Sequence, residues 1–364
     1  VKWPSLGPDA IVFQNGGQLY LLDLATEESQ AIQVKVPADL PQVRTELKSV
    51  SNLIQNYSLS PSGKRALFEA RGEVFTVPEK HGSVRNLTNS SGIAERSPAW
   101  SPDGKWIAYF ADGTGEYELY LRSGDGKGKP RQVTEGGKAF RYNPVWSPDN
   151  KHIAFSDKTG SLFIVDVNDG EITFVDKDEW NRMASYTWSP DSRWLTYSKN
   201  GANRHANIMI YDVNDATVRQ VTSDFYDDSA PAFDVEGKYL FFRSNRSFDP
   251  VYGDMDWTWI YPNSTQLYAV TLSAETASPL APRSDEEEVE EEEEKKQEKD
   301  DEAEKEDDET ADPNDANKSD DEAKEDEKKD NGKDDKKEGE PEPVKIDFDG
   351  FEQRVVRLPI RAGN

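Results

Sequence analysis

A short phrase of sequence recurs along this chain at a nearly fixed interval, and that repeat limits the fold more than any other feature. Ala99-Trp100-Ser101-Pro102-Asp103-Gly104 returns as Val145-Trp146-Ser147-Pro148-Asp149-Asn150 and again as Thr187-Trp188-Ser189-Pro190-Asp191-Ser192. Tyr57-Ser58-Leu59-Ser60-Pro61-Ser62-Gly63 precedes them, and Ala232-Phe233-Asp234-Val235-Glu236-Gly237 is a degenerate later copy. From Leu59 through Trp100, Trp146, Trp188 and Phe233 the steps are 41, 46, 42 and 45 residues. An opening copy, Trp3-Pro4-Ser5-Leu6-Gly7-Pro8-Asp9, brings the units to six. Steps of this length match a four-stranded blade. The predicted fold is therefore all-β, a β-propeller with six units visible. The ring is expected to be seven-bladed and completed beyond the chain end.

Each unit reads in the same order. A short strand ends at the aromatic residue, and Ser-Pro-Asp-Gly makes a tight turn in which Pro presets φ, Asp caps the backbone and Gly takes positive φ. An apolar strand follows, as in Ala66-Leu67-Phe68, Trp106-Ile107-Ala108-Tyr109-Phe110, Ile153-Ala154-Phe155 or Tyr239-Leu240-Phe241-Phe242. A third strand such as Glu118-Leu119-Tyr120-Leu121 or Leu162-Phe163-Ile164-Val165 comes next. A polar edge strand closes the unit, as in Arg131-Gln132-Val133-Thr134 and Arg219-Gln220-Val221-Thr222. Short β-branched and aromatic runs between turn signals point to strands throughout. Packed face to face, such sheets bury both faces and leave only short outer edges, so the Trp or Phe at the first strand's end is expected to be blade-to-blade core.

Three segments break the rhythm, and one of them accounts for the charge. Residues 37–56 read as a spacer, and residues 245–264 add aromatic residues to the sixth unit: Phe248, Tyr252, Trp257, Trp259 and Tyr261. Residues 285–340 hold 31 acidic and 11 basic side chains, which is −20 of the chain's formal −27. The reading is propeller blades over 1–283, an acidic low-complexity insert over 284–343 that is expected to be disordered, and a strand resuming the propeller over 344–364. A segment so poor in apolar residues cannot bury enough surface to offset its ordering entropy. The remaining chain is only mildly acidic and has no basic stripe, which argues against nucleic-acid binding. Its longest apolar runs fall well short of a bilayer span, so no membrane partner is expected. No signal-peptide pattern stands at Val1, and a start without Met is expected of a chain cut from something larger. The 364 residues include no cysteine, which removes disulfides, thiol nucleophiles and thiolate metal sites.

Nothing in the chain assembles into recognisable catalytic machinery, and no catalytic residue, cofactor or metal site is assigned. A hydrolase elbow, Gly-x-Ser-x-Gly, does not occur, nor does a phosphate loop or dinucleotide fingerprint. His81, His152 and His205 fall at different blade positions, His152 reading as a surface residue of the repeat, so they do not form a metal set. Asp125, Asp149, Asp169 and Asp191 sit in turns, where Asp serves the backbone. What a propeller offers is a channel with two rims. Four and five positions before the aromatic stand Arg96 and Glu95, Tyr142 and Arg141, Ala184 and Met183, Ser229 and Asp228. They vary between units while the turns repeat. Glu95, Arg96, Arg141, Tyr142, Asp228 and Ser229 are accordingly the candidate channel-rim contacts, although ordinary surface variation would leave the same pattern.

One ordered series carries a family resemblance. It runs from Ser229-Ala230-Pro231-Ala232-Phe233-Asp234 through Tyr239-Leu240-Phe241-Phe242-Arg243-Ser244-Asn245-Arg246-Ser247-Phe248-Asp249-Pro250. Pro279-Leu280-Ala281-Pro282-Arg283-Ser284 follows, and after the acidic insert Ile346-Asp347-Phe348-Asp349-Gly350-Phe351-Glu352-Gln353-Arg354-Val355-Val356. This resembles the second, seven-bladed propeller of the tricorn protease family; more broadly the repeats resemble those of TolB-like propellers. The resemblance implies oligopeptide substrates, PDZ and serine-peptidase domains downstream in the same polypeptide, a homo-oligomer that is hexameric in that family, and a cytoplasmic location. An exported or periplasmic location is the alternative. It implies a non-catalytic propeller that filters substrate access to a peptidase. Two rival readings are a TolB-like protein-docking module and the propeller cap of an α/β-hydrolase oligopeptidase.

Overall fold

The computed structural model describes residues 1–35, 37, 46, 48–180, 183–247, 250–260, 264–282 and 341–360. They divide into two compact units, Val1–Ser49 and Val50–Asn364. The first unit is a single antiparallel sheet of β1 (Lys2–Leu6), β2 (Ala10–Asn15), β3 (Gln18–Asp23) and β4 (Ser29–Ile32), paired in chain order. Leu6-Gly7-Pro8-Asp9 occupies its first turn, so Leu6 holds the position of the repeat's aromatic and Trp3 stands three residues earlier, at a bulge.

The second unit contains five four-stranded antiparallel sheets. Blade two comprises β5 (Ile54–Leu59), β6 (Arg65–Ala70), β7 (Glu73–Pro78) and β8 (Arg85–Asn86). Blade three comprises β9 (Glu95–Trp100), β10 (Trp106–Ala111), β11 (Glu118–Ser123) and β12 (Arg131–Gln132). In blade four the strands are β13 (Arg141–Trp146), β14 (His152–Asp157), β15 (Ser161–Asp166) and β16 (Ile172–Lys177). Blade five has β17 (Tyr186–Trp188), β18 (Trp194–Asn200), β19 (Ala206–Asp212) and β20 (Thr217–Gln220). Blade six starts with β21 (Asp228–Phe233) and β22 (Tyr239–Ser244), and a small hairpin of β23 (Val251–Tyr252) and β24 (Trp259–Ile260) then leaves the sheet. β25 (Gln266–Thr271) and β26 (Val355–Arg357) complete it, so the acidic stretch lies in the connection between the third and fourth strands of one blade. Of the aromatic insert, Phe248 and Tyr261 lie outside the described residues.

The core is a series of interfaces between consecutive blades. Leu67, Val74, Ile107 and Tyr109 join blades two and three, and Phe110, Leu119, Trp146, Ile153 and Phe155 join three and four. Leu162, Ile164, Trp188, Leu195 and Tyr197 join four and five. The repeated tryptophans stitch these faces as well as fill them. Trp146 Nε1 donates to the Ala99 carbonyl at 3.3 Å, and Trp188 Nε1 donates to the Val145 carbonyl at 3.1 Å. Each reaches the same position in the blade before it. His152 belongs to this packing and not to the open surface: it is half-buried, with its ring 6.2 Å from that of Trp188.

The turns explain their own sequence. Ser101 Oγ donates to Asp103 at 2.7 Å and accepts from the Trp106 N–H at 2.9 Å, and Ser147 and Ser189 repeat the pattern with Asp149 and Asp191. The fourth turn residue lies in the left-handed region in each: Gly63 at φ 70°, Gly104 at 69°, Asn150 at 63°, Ser192 at 63° and Gly237 at 68°. Where it is not glycine, its side chain accepts from the previous turn. The Asp103 N–H donates to Asn150 Oδ1 at 3.1 Å, and the Asp149 N–H donates to Ser192 Oγ at 3.0 Å. Asp125 and Asp169 likewise accept turn N–H groups, from Lys127 and Glu171. Among the described residues no helix is long and apolar enough to cross a membrane.

Candidate functional site

In antiparallel blades, the starts of the innermost strands share one end with the turns between second and third strands, and the Ser-Pro-Asp turns lie at the other. The candidate rim residues all belong to the first end. The structure separates them into an inward and an outward set. Glu95, Arg141 and Asp228, which open their strands, are 4, 7 and 0% exposed, and Met183, three residues before β17, is 1% exposed. Arg96, Tyr142 and Ser229, one residue later, are half-buried, and Ala184 is exposed. The alternation of a strand puts neighbours on opposite faces, and one face here lies against the next blade.

Of the inward set, Arg141 works between blades and Asp228 within blade six. Arg141 Nη1 donates to Glu118 Oε2 of blade three at 2.8 Å and to Thr134 Oγ1 at 2.5 Å, and its guanidinium lies 5.2 Å from the centre of the Phe155 ring. Burial lowers the pKa of Arg141, and Glu118 works against that. Asp228 pairs at 2.7 Å with Arg246, which also donates to Glu352 at 2.9 Å and lies over Tyr226 and Phe242. Burial disfavours the Arg246 cation, but Asp228 and Glu352 outweigh it and raise its pKa. Glu95 has no such cation. Ser90 donates to Glu95 Oε1, and Oε2 is buried without a partner. Burial raises the Glu95 carboxyl, and the charge of Glu73 adds to it although the Ser90 hydrogen bond opposes them. These three charged groups sit apart from one another, on blades three, four and six, and form no common site. Buried, Glu95 and Arg141 against the preceding blade and Asp228 against Arg246 of its own blade, these groups do not present open rim charges.

Two members of the outward set, Arg96 and Tyr142, converge at one place. Arg96 Nε donates to Glu69 Oε1 at 3.2 Å and Nη2 to Gln55 Oε1 at 2.7 Å, both in blade two. Glu69 is only 1% exposed and also accepts from the Ser97 N–H at 2.8 Å and from Asn56. The Arg96 guanidinium lies 5.3 Å from the centre of the Phe140 ring. Phe140 in turn sits 4.6 Å from Tyr117 and 4.8 Å from Tyr142, centre to centre. Burial raises the Tyr117 phenol and nearby Asp112 adds to it, while Arg96 pulls the other way. Arg96 and Tyr142 are thus brought together; Ser229 lies on blade six, apart from them. The missed members are Glu69, Tyr117 and Phe140. Only Glu69 left a signal, as a charge inside the apolar strand Ala66-Leu67-Phe68-Glu69-Ala70.

A backbone feature accompanies this rim. Ser97, Asn143 and Ala230 adopt φ of 52°, 48° and 53°, each just before a proline and at a register shift in the innermost strand. Trp3 does the same at φ 54° in the first unit. Such residues persist where neighbours hold them. Here Glu69 takes the Ser97 N–H, and Tyr186 of the next blade donates to the Asn143 carbonyl at 2.5 Å.

Comparison with known proteins places this repeat. The profile of the tricorn protease second beta propeller domain matches residues 54–364. The chain belongs to that family. Among curated relatives, Tricorn protease homolog 1 of Streptomyces coelicolor is 25% identical over 279 residues, covering 75% of this chain and 26% of the relative. The putative Tricorn-like protease C-terminal subunit of Sulfurisphaera tokodaii is 26% identical over 269 residues, covering 74% of this chain and 30% of that protein. The crystal structure of the tricorn protease shares the fold with a TM-score of 0.60 at 22% identity, over 77% of this chain and 28% of that one. The chain therefore spans between a quarter and a third of the length of these relatives, and the match begins where blade two begins.

Proposed function

We propose that this chain is a non-catalytic propeller of a larger serine peptidase, and that it admits extended oligopeptides to an active site carried elsewhere in the polypeptide. The observation that supports the reading most is the family match over 54–364, since the relatives named after a protease are three to four times longer than the part that matches. The blades supply the physical means. Innermost strands stand side by side, with small or half-buried residues such as Ala184 and Ser229 at their open ends, and the passage proposed between them admits an extended chain and excludes folded domains. Peptidase and PDZ domains downstream, and assembly into a homo-oligomer, belong to the same proposal.

The test uses the full-length protein. Ala184→Trp and Ser229→Trp add bulk at the open end without touching the buried junctions. Cleavage of peptides of roughly ten residues, about 33 Å when extended, should slow severalfold, while a short fluorogenic peptide is cut at the unaltered rate. Equal slowing of both, or of neither, overturns the passage reading. The chain 1–364 alone should show only the buffer rate with either substrate, because no nucleophile and base are assembled among its described residues.

A further inference from the structure

The convergence of Arg96, Tyr117, Phe140 and Tyr142 has an arrangement suited to a ligand as well as to the fold. Three rings from two blades meet around Phe140 at interplanar angles of 56° and 42°, and none of the three is fully buried. Arg96 is laid along this group by a carboxylate that is itself buried, so its orientation is fixed before any ligand arrives. A guanidinium carries five N–H donors. Glu69 and Gln55 take two of them, and the side chain is still 35% exposed. Because Glu69 already balances the charge, a ligand carboxylate gains less here than at an unpaired arginine. A neutral acceptor and a flat apolar group suit the site better.

Building on the passage reading, we infer that Arg96, Tyr117, Phe140 and Tyr142 form a subsite for an aromatic side chain of an extended peptide, with Arg96 donating to a backbone carbonyl beside it. Aromatic pairs prefer offset or edge-to-face contact and contribute beyond the area they bury. One added ring contact of this kind changes affinity by roughly two- to tenfold. That strength suits a passage: it favours some peptides at the mouth without holding them.

The experiment measures binding of fluorescent peptides of roughly ten residues to the chain 1–364 by anisotropy. The peptides are identical except for one central residue, which is Phe, Ser or Glu. The Phe peptide should bind about fivefold more tightly than the Ser peptide. Tyr142→Ala and Tyr117→Ala should each bring the two peptides together, and Tyr142→Phe should keep them apart. Thermal unfolding of each variant separates a lost contact from a lost fold. Equal affinity for Phe and Ser in the unaltered chain, tightest binding of the Glu peptide, or discrimination that survives both alanine variants overturns the subsite. So does an absence of binding at about 1 mM peptide. The passage reading outlives any of these results, because a sieve that works by width needs no affinity, and its own test is the ratio of long to short cleavage.

Discussion

Asn150 and Ser192 stand at a turn position where sister blades carry glycine, and their side chains explain the exception. Asn tolerates the left-handed region better than Ala does, and its carbonyl oxygen accepts the Asp103 N–H. Asn150→Gly loses that hydrogen bond, about 1 kcal/mol, but relieves the backbone at φ 63°. The two effects nearly cancel. Asn150→Ala loses the bond and keeps the strain, so it should be less stable by about 1–2 kcal/mol. Urea midpoints of both variants and the parent decide it: an Ala variant as stable as the parent refutes the stitch, and an Ala variant as stable as the Gly variant refutes the strain. Glu95 gives a second prediction at this scale. Its carboxyl is held above the ordinary value by burial and then by Glu73. A raised carboxyl favours its proton in the folded state, so its contribution is present at low pH and is lost as pH climbs past about 4.5. Glu95→Gln stays neutral throughout. The melting temperature of the variant should therefore exceed that of the parent at pH 8, and the gap should close towards pH 4.5. A gap independent of pH would mean that Glu95 is not charged at the higher pH.

Between elements, the segment after the acidic stretch substitutes for a stitch that the sixth turn cannot make. Blade six has Gly237 where Asn150 and Ser192 reach back, and Gly237 has no side chain to offer. Val344 fills the place: its N–H donates to Asp191 Oδ2 at 2.7 Å, its carbonyl accepts from Trp194 Nε1 at 3.1 Å, and its side chain is 5% exposed within the core of blades five and six. A Cβ on Gly237 would lie 2.5 Å from Val344 Cγ2. Val344→Ala should cost roughly 1–3 kcal/mol. Gly237→Ala should cost more than left-handed strain alone, and in the Val344→Ala background only the strain should remain. A coupling of at least about 0.5 kcal/mol in the double-mutant cycle is expected; strict additivity would place the two residues out of contact. Sequence reasoning reached the blades because their signals are local: turn chemistry, apolar runs and the aromatic that closes each first strand. It did not reach the left-handed Ser97, Asn143 and Ala230, since ordinary residues hold that conformation only with help from the blade beside them. Nor could it tell that Glu95, Arg141 and Asp228 face inward. Which face of a strand-opening residue is covered depends on the blade packed beside it, as Glu118 and Thr134 of blade three show for Arg141.

For the whole molecule, the main question is what the acidic stretch contributes to stability. Its two flanks are tied without it. The Asp347 N–H donates to the Leu272 carbonyl at 2.9 Å, and Ser273 Oγ and the Ala274 N–H donate to Asp347 Oδ2 at 3.0 and 2.8 Å. Arg354 adds a hydrogen bond to the Thr271 carbonyl at 3.1 Å, and β26 then pairs with β25. We expect that replacing residues 285–338 by a Gly/Ser linker of about ten residues leaves the blades intact, because the loop it closes becomes shorter and each halving of loop length favours folding by about 0.6 kcal/mol. A fivefold shortening is then worth roughly 1–1.5 kcal/mol. The exchange also removes most of the formal −27, which relieves self-repulsion in the compact state. Both effects have the same sign. The shortened chain should melt at the same temperature or a few degrees higher, with one cooperative transition, and its melting temperature should depend less on added salt. A fall of about ten degrees or more, or a broad transition, would show that the acidic stretch packs on the blades and holds blade six in place.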